Sequence, residues 1–319
     1  MAEDDRRSGE ANKEEGEEEM IHPTIRYTNS GIPVLGRKQI DSIAEAYLAD
    51  FRPQYLLDPQ PVDVEKFAVE YLNYRQDIQY LSNTGVYLGM FVFSDTDMLE
   101  VYDEEKNEAK YISEKADTIV IDKSLLDAGQ EGRYRFTMGH EIAHGIFHKP
   151  MMDPYQEYLS LFYEGETGSR GLIFRCELSE RRIVDDPQER WTDEQWQEWQ
   201  ADAFSSSLLM PKSMVEQIAK EHNIDQKSLA AREMLIADVE RTFEVSHTAA
   251  MVRLTNLHLL SPLEEKPVQT SPEDPEIVNK MRLKAKERAQ MREVEDAVYD
   301  KRDEDLWNNV EPPRKRRKR

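Results

Sequence analysis

Arg135-Phe136-Thr137-Met138-Gly139-His140-Glu141-Ile142-Ala143-His144 is the stretch from which the rest of the chain can be read. Its two imidazoles stand four residues apart, and at 3.6 residues per turn positions i and i+4 share one face of a helix. Two ring nitrogens on one face can reach a single metal ion at about 2 Å, with Glu141 beside them where a bound water would sit. Phe136, Ile142, Ala143, Ile146 and Phe147 spread apolar surface over most of the same helix. A helix that is apolar nearly all round belongs in the middle of a domain.

Catalytic zinc takes three protein donors and keeps a fourth position for water, so the histidine pair needs one partner more. His148 stands eight residues beyond His140, about 12 Å along a continuous helix, too far to converge on the same ion. Its expected role is instead that of a cation near the helix C-terminus, with Lys149, complementing the helix dipole. Phe147 and Pro150 occupy the positions where a histidine-terminated HExxHxxGxxH motif needs Gly and His. A single cysteine, Cys176, excludes a disulfide framework and any multi-cysteine zinc site, and is read as a packing residue. Glu198 is the better third donor. It opens Glu198-Trp199-Gln200-Ala201-Asp202, where two carboxylates share a helical face. Glu198 can bind the ion and Asp202 can orient a ligand histidine through its other ring N–H.

These stretches are connected by a mixed pattern. Apolar residues recur at helical spacing from Gly36 to Phe51, and Pro61-Val62-Asp63 opens a second helix. The runs 85–93, 98–102 and 116–121 are short and β-rich, which predicts a small, largely antiparallel sheet. Helix returns at 124–128 and again from Arg133, and Pro150 ends it. Residues 151–190 carry no sustained period, which points to a long functional loop walling a cleft. At Thr192 the punctuation is sharp: Thr192 and Gln195 form a capping box, with Trp191 and Trp196 as its hydrophobic staple. The helix it opens ends at Pro211. Residues 213–260 read as helical again, with Ser246 as an N-cap, and Trp199 joins the other tryptophans as core.

Composition limits what the chain can do. It has 319 residues, 39% hydrophobic and 33% charged, and a net charge of −22. Residues 1–20 hold nine acidic and three basic side chains and too few apolar ones to bury, so the tail, taken as 1–30, is expected to be disordered. Residues 263–319 hold 15 Lys/Arg against 14 Asp/Glu, leaving −23 on the preceding 262 residues. A field of that sign repels a phosphate backbone, so nucleic-acid contact is expected only locally, through 213–262 or the basic run Arg314–Arg319. No run of about 18 apolar residues exists and the first residues are acidic, which predicts a cytoplasmic protein with no membrane contact.

The two long motifs resemble a known family. Arg135 to His144 is similar to the RFTxxHExxH segment of the ImmA/IrrE metallopeptidases, and Glu198 to Pro211 is similar to their ExxA[ND]xFAxxLLMP segment, with Ser205 in place of the usual Ala. Pro61 to Lys66 resembles the start of their domain, and Phe243 to Leu257 resembles the helix-turn-helix-like region that follows it. Forty-nine residues separate His148 from Glu198, more than in many members.

The resemblance implies an α+β chain. A small zincin-like metallopeptidase domain would span 31–212, a helical helix-turn-helix-like region 213–262, and a charged, partly helical tail 263–319. It also implies one zinc ion on His140, His144 and Glu198, with Asp202 behind a histidine and Glu141 as general acid and base. The oxyanion partner stays open among His148, Tyr134, Tyr158 and Tyr163. The implied activity is an endopeptidase acting on an Xre-like helix-turn-helix repressor, which would switch on genes of a mobile element or stress response. The alternative is a DNA- or protein-binding transcriptional regulator whose metal site is not catalytic.

Overall fold

Residues 21, 23–28, 31–149, 173–177, 191–222 and 229–260 are described in the computed structural model. The acidic segment 1–20, residues 150–172 and 178–190 with Tyr158 and Tyr163, the side chain of Cys176, and the tail 263–319 with Arg314–Arg319 lie outside the described residues. The fold mixes α and β, and it begins within the segment read as tail. Val34 N donates to Arg26 O at 2.7 Å and Thr28 N to Ile32 O at 2.8 Å, so residues 26–28 turn back on 32–34.

Helix α1 (Arg37–Phe51) packs Ile40, Ala44, Tyr47 and Leu48 inward. After a 3-10 turn, Pro53–Leu56, helix α2 starts at Val64 with the Asp63 side chain accepting Lys66 N at 3.0 Å, and widens into a π turn over Phe67–Tyr71. Five strands follow: β1 (Arg75–Gln79), β2 (Tyr87–Val92), β3 (Thr96–Asp103), β4 (Glu108–Glu114) and β5 (Thr118–Asp122). Strand β6 (Ile173–Glu177) comes from within the stretch read as loop.

The four-stranded sheet runs β1-β5-β2-β6, while β3 and β4 form a separate hairpin. Three of the four pairings are antiparallel, as the sequence suggests, and β1 with β5 is parallel. Period-2 alternation divides the sheet's side chains between two cores. Phe91, Phe93, Ile119 and Ile121 join the main core with the helices, whereas Met90, Val92 and Val120 meet Leu99 and Val101 of the hairpin.

Helix α3 (Glu131–Phe147) is buried from Phe136 to Gly145, as its apolar circumference predicts. Helix α4 (Asp193–Leu209) opens with the expected capping box: Thr192 Oγ1 accepts Gln195 N at 3.2 Å and Gln195 Oε1 accepts Thr192 N at 3.0 Å. Trp191, Trp196 and Trp199 pack edge to face, with ring centroids 5.7–6.3 Å apart.

Then come α5 (Lys212–Glu221), α6 (Leu229–Phe243) and α7 (His247–Asn256), the last capped by the Ser246 side chain accepting Ala249 N. The sequence texture changes at 212/213, but the packing does not. Val215, Val239, Phe243 and Leu254 belong to the same core as α1, α3 and α4. No helix among the described residues is long and apolar enough to cross a membrane.

Candidate metal centre

The site exists because α3 and α4 lie unusually close. Gly139 faces Ser205, and a Cβ there would stand 2.6 Å from Ser205 Oγ and 3.2 Å from its Cα, so only glycine admits this approach. Ser205 Oγ donates to Phe136 O at 2.8 Å, tying the two helices together across the contact. An Ala at 205 would fit the same space but could not make that bond.

Through this contact α4 carries Glu198 to the histidine face of α3. His140 Nε2 is 2.9 Å from His144 Nε2, and Glu198 Oε2 and Oε1 lie 3.4 Å and 3.5 Å from those two nitrogens. One donor atom from each of the three residues falls within 4.8 Å of the others. A tetrahedral ion with bonds of about 2.0–2.1 Å holds its donors roughly 3.3 Å apart. The observed spacings bracket that value, and two imidazoles with a carboxylate are a donor set that a divalent metal ion accepts. His140, His144 and Glu198 can therefore hold a metal ion.

Each histidine is backed from behind. Asp202 Oδ1 lies 2.9 Å from His140 Nδ1, the orienting role expected of it. His144 Nδ1 lies 2.9 Å from His148 Nδ1. The dipole reading of His148 is corrected here: its side chain is fully buried, and burial holds its pKa down to about 4, so it carries no charge to the helix end. Lys149, 2.7 Å from Asp117, is the cation at that end. Burial likewise holds His144 neutral, its pKa well below the usual histidine value. As expected, His148 stands outside the donor set.

Glu141 is fully buried, and neither carboxylate oxygen has a hydrogen-bond partner among the described residues. Burial, with Glu198 adding to it and His140 opposing, pushes its carboxyl up to about 8. Strand β2 makes room for it: a Cβ at Gly89 would meet Glu141 Oε1 at 2.7 Å and Thr137 Cγ2 at 2.7 Å. An orphaned buried carboxylate costs about 1–3 kcal/mol or more, and it is tolerated where another group is to be met. This second observation also fits a bound ion and its water. Glu198 and Asp202, with side chains 38% and 43% exposed, form the open side.

Tyr134 is not brought to the centre. Its hydroxyl donates to Glu65 Oε1 at 2.6 Å and accepts from Gln76 Nε2 at 2.6 Å. Gln200 is a site residue that the sequence reading passes over. Its Oε1 lies 3.2 Å from His148 Nε2 and its Nε2 donates to Pro33 O at 2.6 Å. Only its place two residues after Glu198, between the two carboxylates, could have signalled it.

Arg253, the one arginine of α7 within the segment expected to touch DNA, is 1% exposed. It pairs with Asp41 at 2.7 Å and donates to Met210 O at 3.0 Å, which takes it away from any phosphate.

The sequence matches no protein-family model and no curated protein.

Proposed function

We propose that the chain is a zinc-dependent endopeptidase of the ImmA/IrrE type, with a zincin-like catalytic region. The observation that carries this reading is the orphaned Glu141 carboxylate beside the convergent His140, His144 and Glu198 donors. A structural zinc site usually closes with four protein ligands, whereas among the described residues this one offers three and an open side.

When bound, zinc lowers the pKa of a water from 15.7 to about 7 and polarises a carbonyl as a Lewis acid. The chain's residues supply the rest. Asp202 accepts from His140 Nδ1 and so leaves the Nε2 lone pair free for the ion. Glu141, held dry between α3 and β2, takes the proton from the attacking water on its carboxylate. It then delivers that proton to the leaving amine, so one group serves as base and acid in turn. Burial makes the Glu141 carboxylate, once ionised, a stronger proton acceptor than an exposed one.

The substrate class follows from the motif resemblance: a helix-turn-helix repressor, cleaved in the cytoplasm to release genes of a mobile element or stress response. The alternative, a regulator gripping DNA through 213–262, is weakened at α7, whose one arginine, Arg253, is buried.

The test incubates zinc-loaded wild type and Glu141→Gln with the repressor encoded beside this gene and maps fragments by mass spectrometry. Wild type should cut at one site, and Glu141→Gln should be slower by roughly 10²–10⁴-fold. Equal cutting by the variant would remove Glu141 from its role. Metal analysis showing no stoichiometric zinc, or full zinc retention by His140→Ala, would refute the centre itself.

A further inference from the structure

The two histidine donors are backed by different chemistry, and the second arrangement has a direction built into it. Gln200 Nε2 lies 2.6 Å from Pro33 O, and a carbonyl oxygen can only accept, so the amide nitrogen must face it. The amide oxygen is thereby turned to His148 Nε2 at 3.2 Å, where it too can only accept. His148 therefore carries its proton on Nε2 and presents a lone pair at Nδ1. That lone pair faces His144 Nδ1 at 2.9 Å, and the contact is a hydrogen bond only if His144 holds its proton there. The Nε2 of His144 is then bare, and it is the atom that faces His140 Nε2 and Glu198.

We propose that His148 is a positioning residue. With Gln200, and anchored on the Pro33 carbonyl, it holds His144 in the tautomer whose Nε2 lone pair points into the metal centre. The proposal rests on the metal reading for its purpose, though not for its geometry.

The chain Pro33–Gln200–His148–His144 does for His144 what Asp202 does for His140, and it does so without charge. The difference follows from depth. Asp202 is 43% exposed to water, whereas His148 and Gln200 are wholly buried, where a carboxylate would lose its hydration. A neutral relay is the way to orient a ligand in the dry half of the site. It also joins the segment before α1 to the centre, since Pro33 lies in the turn that pairs with 26–28.

The test reads the tautomer and the affinity separately. In metal-free, full-length protein labelled with ¹⁵N-histidine, long-range proton–nitrogen spectra, assigned with His144→Gln, should show His144 protonated at Nδ1 and His148 at Nε2. His144 protonated at Nε2 would overturn the proposal whatever the metal data say. His148→Phe, which keeps bulk but offers no acceptor, should weaken zinc binding about 10–100-fold in competition with a chromophoric chelator. His148→Gln, whose oxygen can accept from His144 while its nitrogen donates to Gln200, should restore affinity to within a few-fold of wild type. Equal affinity in His148→Phe, or equal loss in both variants, would refute the relay. Failure of the metal reading looks different: wild type itself would bind no zinc, and the tautomer spectra would still decide the relay. If His148→Phe does not fold, the wild-type spectra and His148→Gln carry the test.

Discussion

Two groups of ionisable side chains are withdrawn from water in this molecule, and they are treated in opposite ways. In one, Asp41 of α1 meets Arg253 of α7 at 2.7 Å, Ser207 of α4 donates to Asp41 at 2.7 Å, and Arg253 donates to Met210 O at 3.0 Å. Apart from the Arg253 Nη2, which has no partner, this clasp satisfies itself and joins three helices. In the other, Glu141 is as deeply buried and both its oxygens are unpartnered. A buried charge that is paired holds helices together. A buried carboxyl without a partner among the described residues, beside three convergent donors, is held toward its protonated form and leaves two oxygens unsatisfied.

Breaking the clasp should give the larger effect. Arg253→Met leaves Asp41 buried without its counter-charge and should destabilise the chain by about 3–5 kcal/mol in urea unfolding. Asp41→Leu combined with Arg253→Met should recover most of that loss, because an apolar pair carries no desolvation penalty. If the double variant is no better than the single one, the clasp is not acting as an ion pair.

The orphaned carboxylate should respond with the opposite sign. In metal-free protein, Glu141→Leu removes a buried group that has no partner and should raise stability by roughly 1–3 kcal/mol. A loss comparable to that of Arg253→Met would make Glu141 a structural residue and erase the contrast.

The smallest effect sharpens the comparison at an intermediate depth. Glu114 of β4 is partly buried and hydrogen-bonded to Asp77 of β1; burial first, then that bond, raises its carboxyl to about 7. Its folded value lies above the ordinary 4.5, so its contribution is full below about 4.5 and is lost as pH rises through about 7. Glu114→Gln stays neutral throughout. Its melting temperature should gain on that of wild type as pH rises from 5 to 8. A gap that does not change with pH would show that the shared proton contributes nothing.

The sequence carried the centre better than its surroundings. His140, Glu141 and His144 were legible because helical period alone puts them on one face, and Glu198 with Asp202 because the same period repeats there. The caps at Thr192 and Ser246 were legible because short polar side chains before a helix have few other uses. Strands β1 and β4, Arg-Gln-Asp-Ile-Gln and Glu-Ala-Lys-Tyr-Ile-Ser-Glu, were missed. Both are polar and bury no residue, and edge position removes the hydrophobic alternation that betrays a buried strand. Linear spacing offers His148 as a ligand, a cation or an oxyanion partner, since it gives rise along a helix but not what lies behind a ring. Gln200 and Pro33 are 167 residues apart, and nothing local announces such a bond. Arg253 invites a reading as a DNA contact until its burial is known.

Strand β6 changes how the long segment between α3 and α4 should be regarded. It pairs with β2 along Val92 to Tyr87 and occupies the flank that β2 would otherwise leave open. A version of the chain lacking Ile173–Glu177 would bare a row of backbone donors and acceptors on β2. Such an edge recruits strands from neighbouring molecules. By covering that flank, β6 keeps it from such pairing.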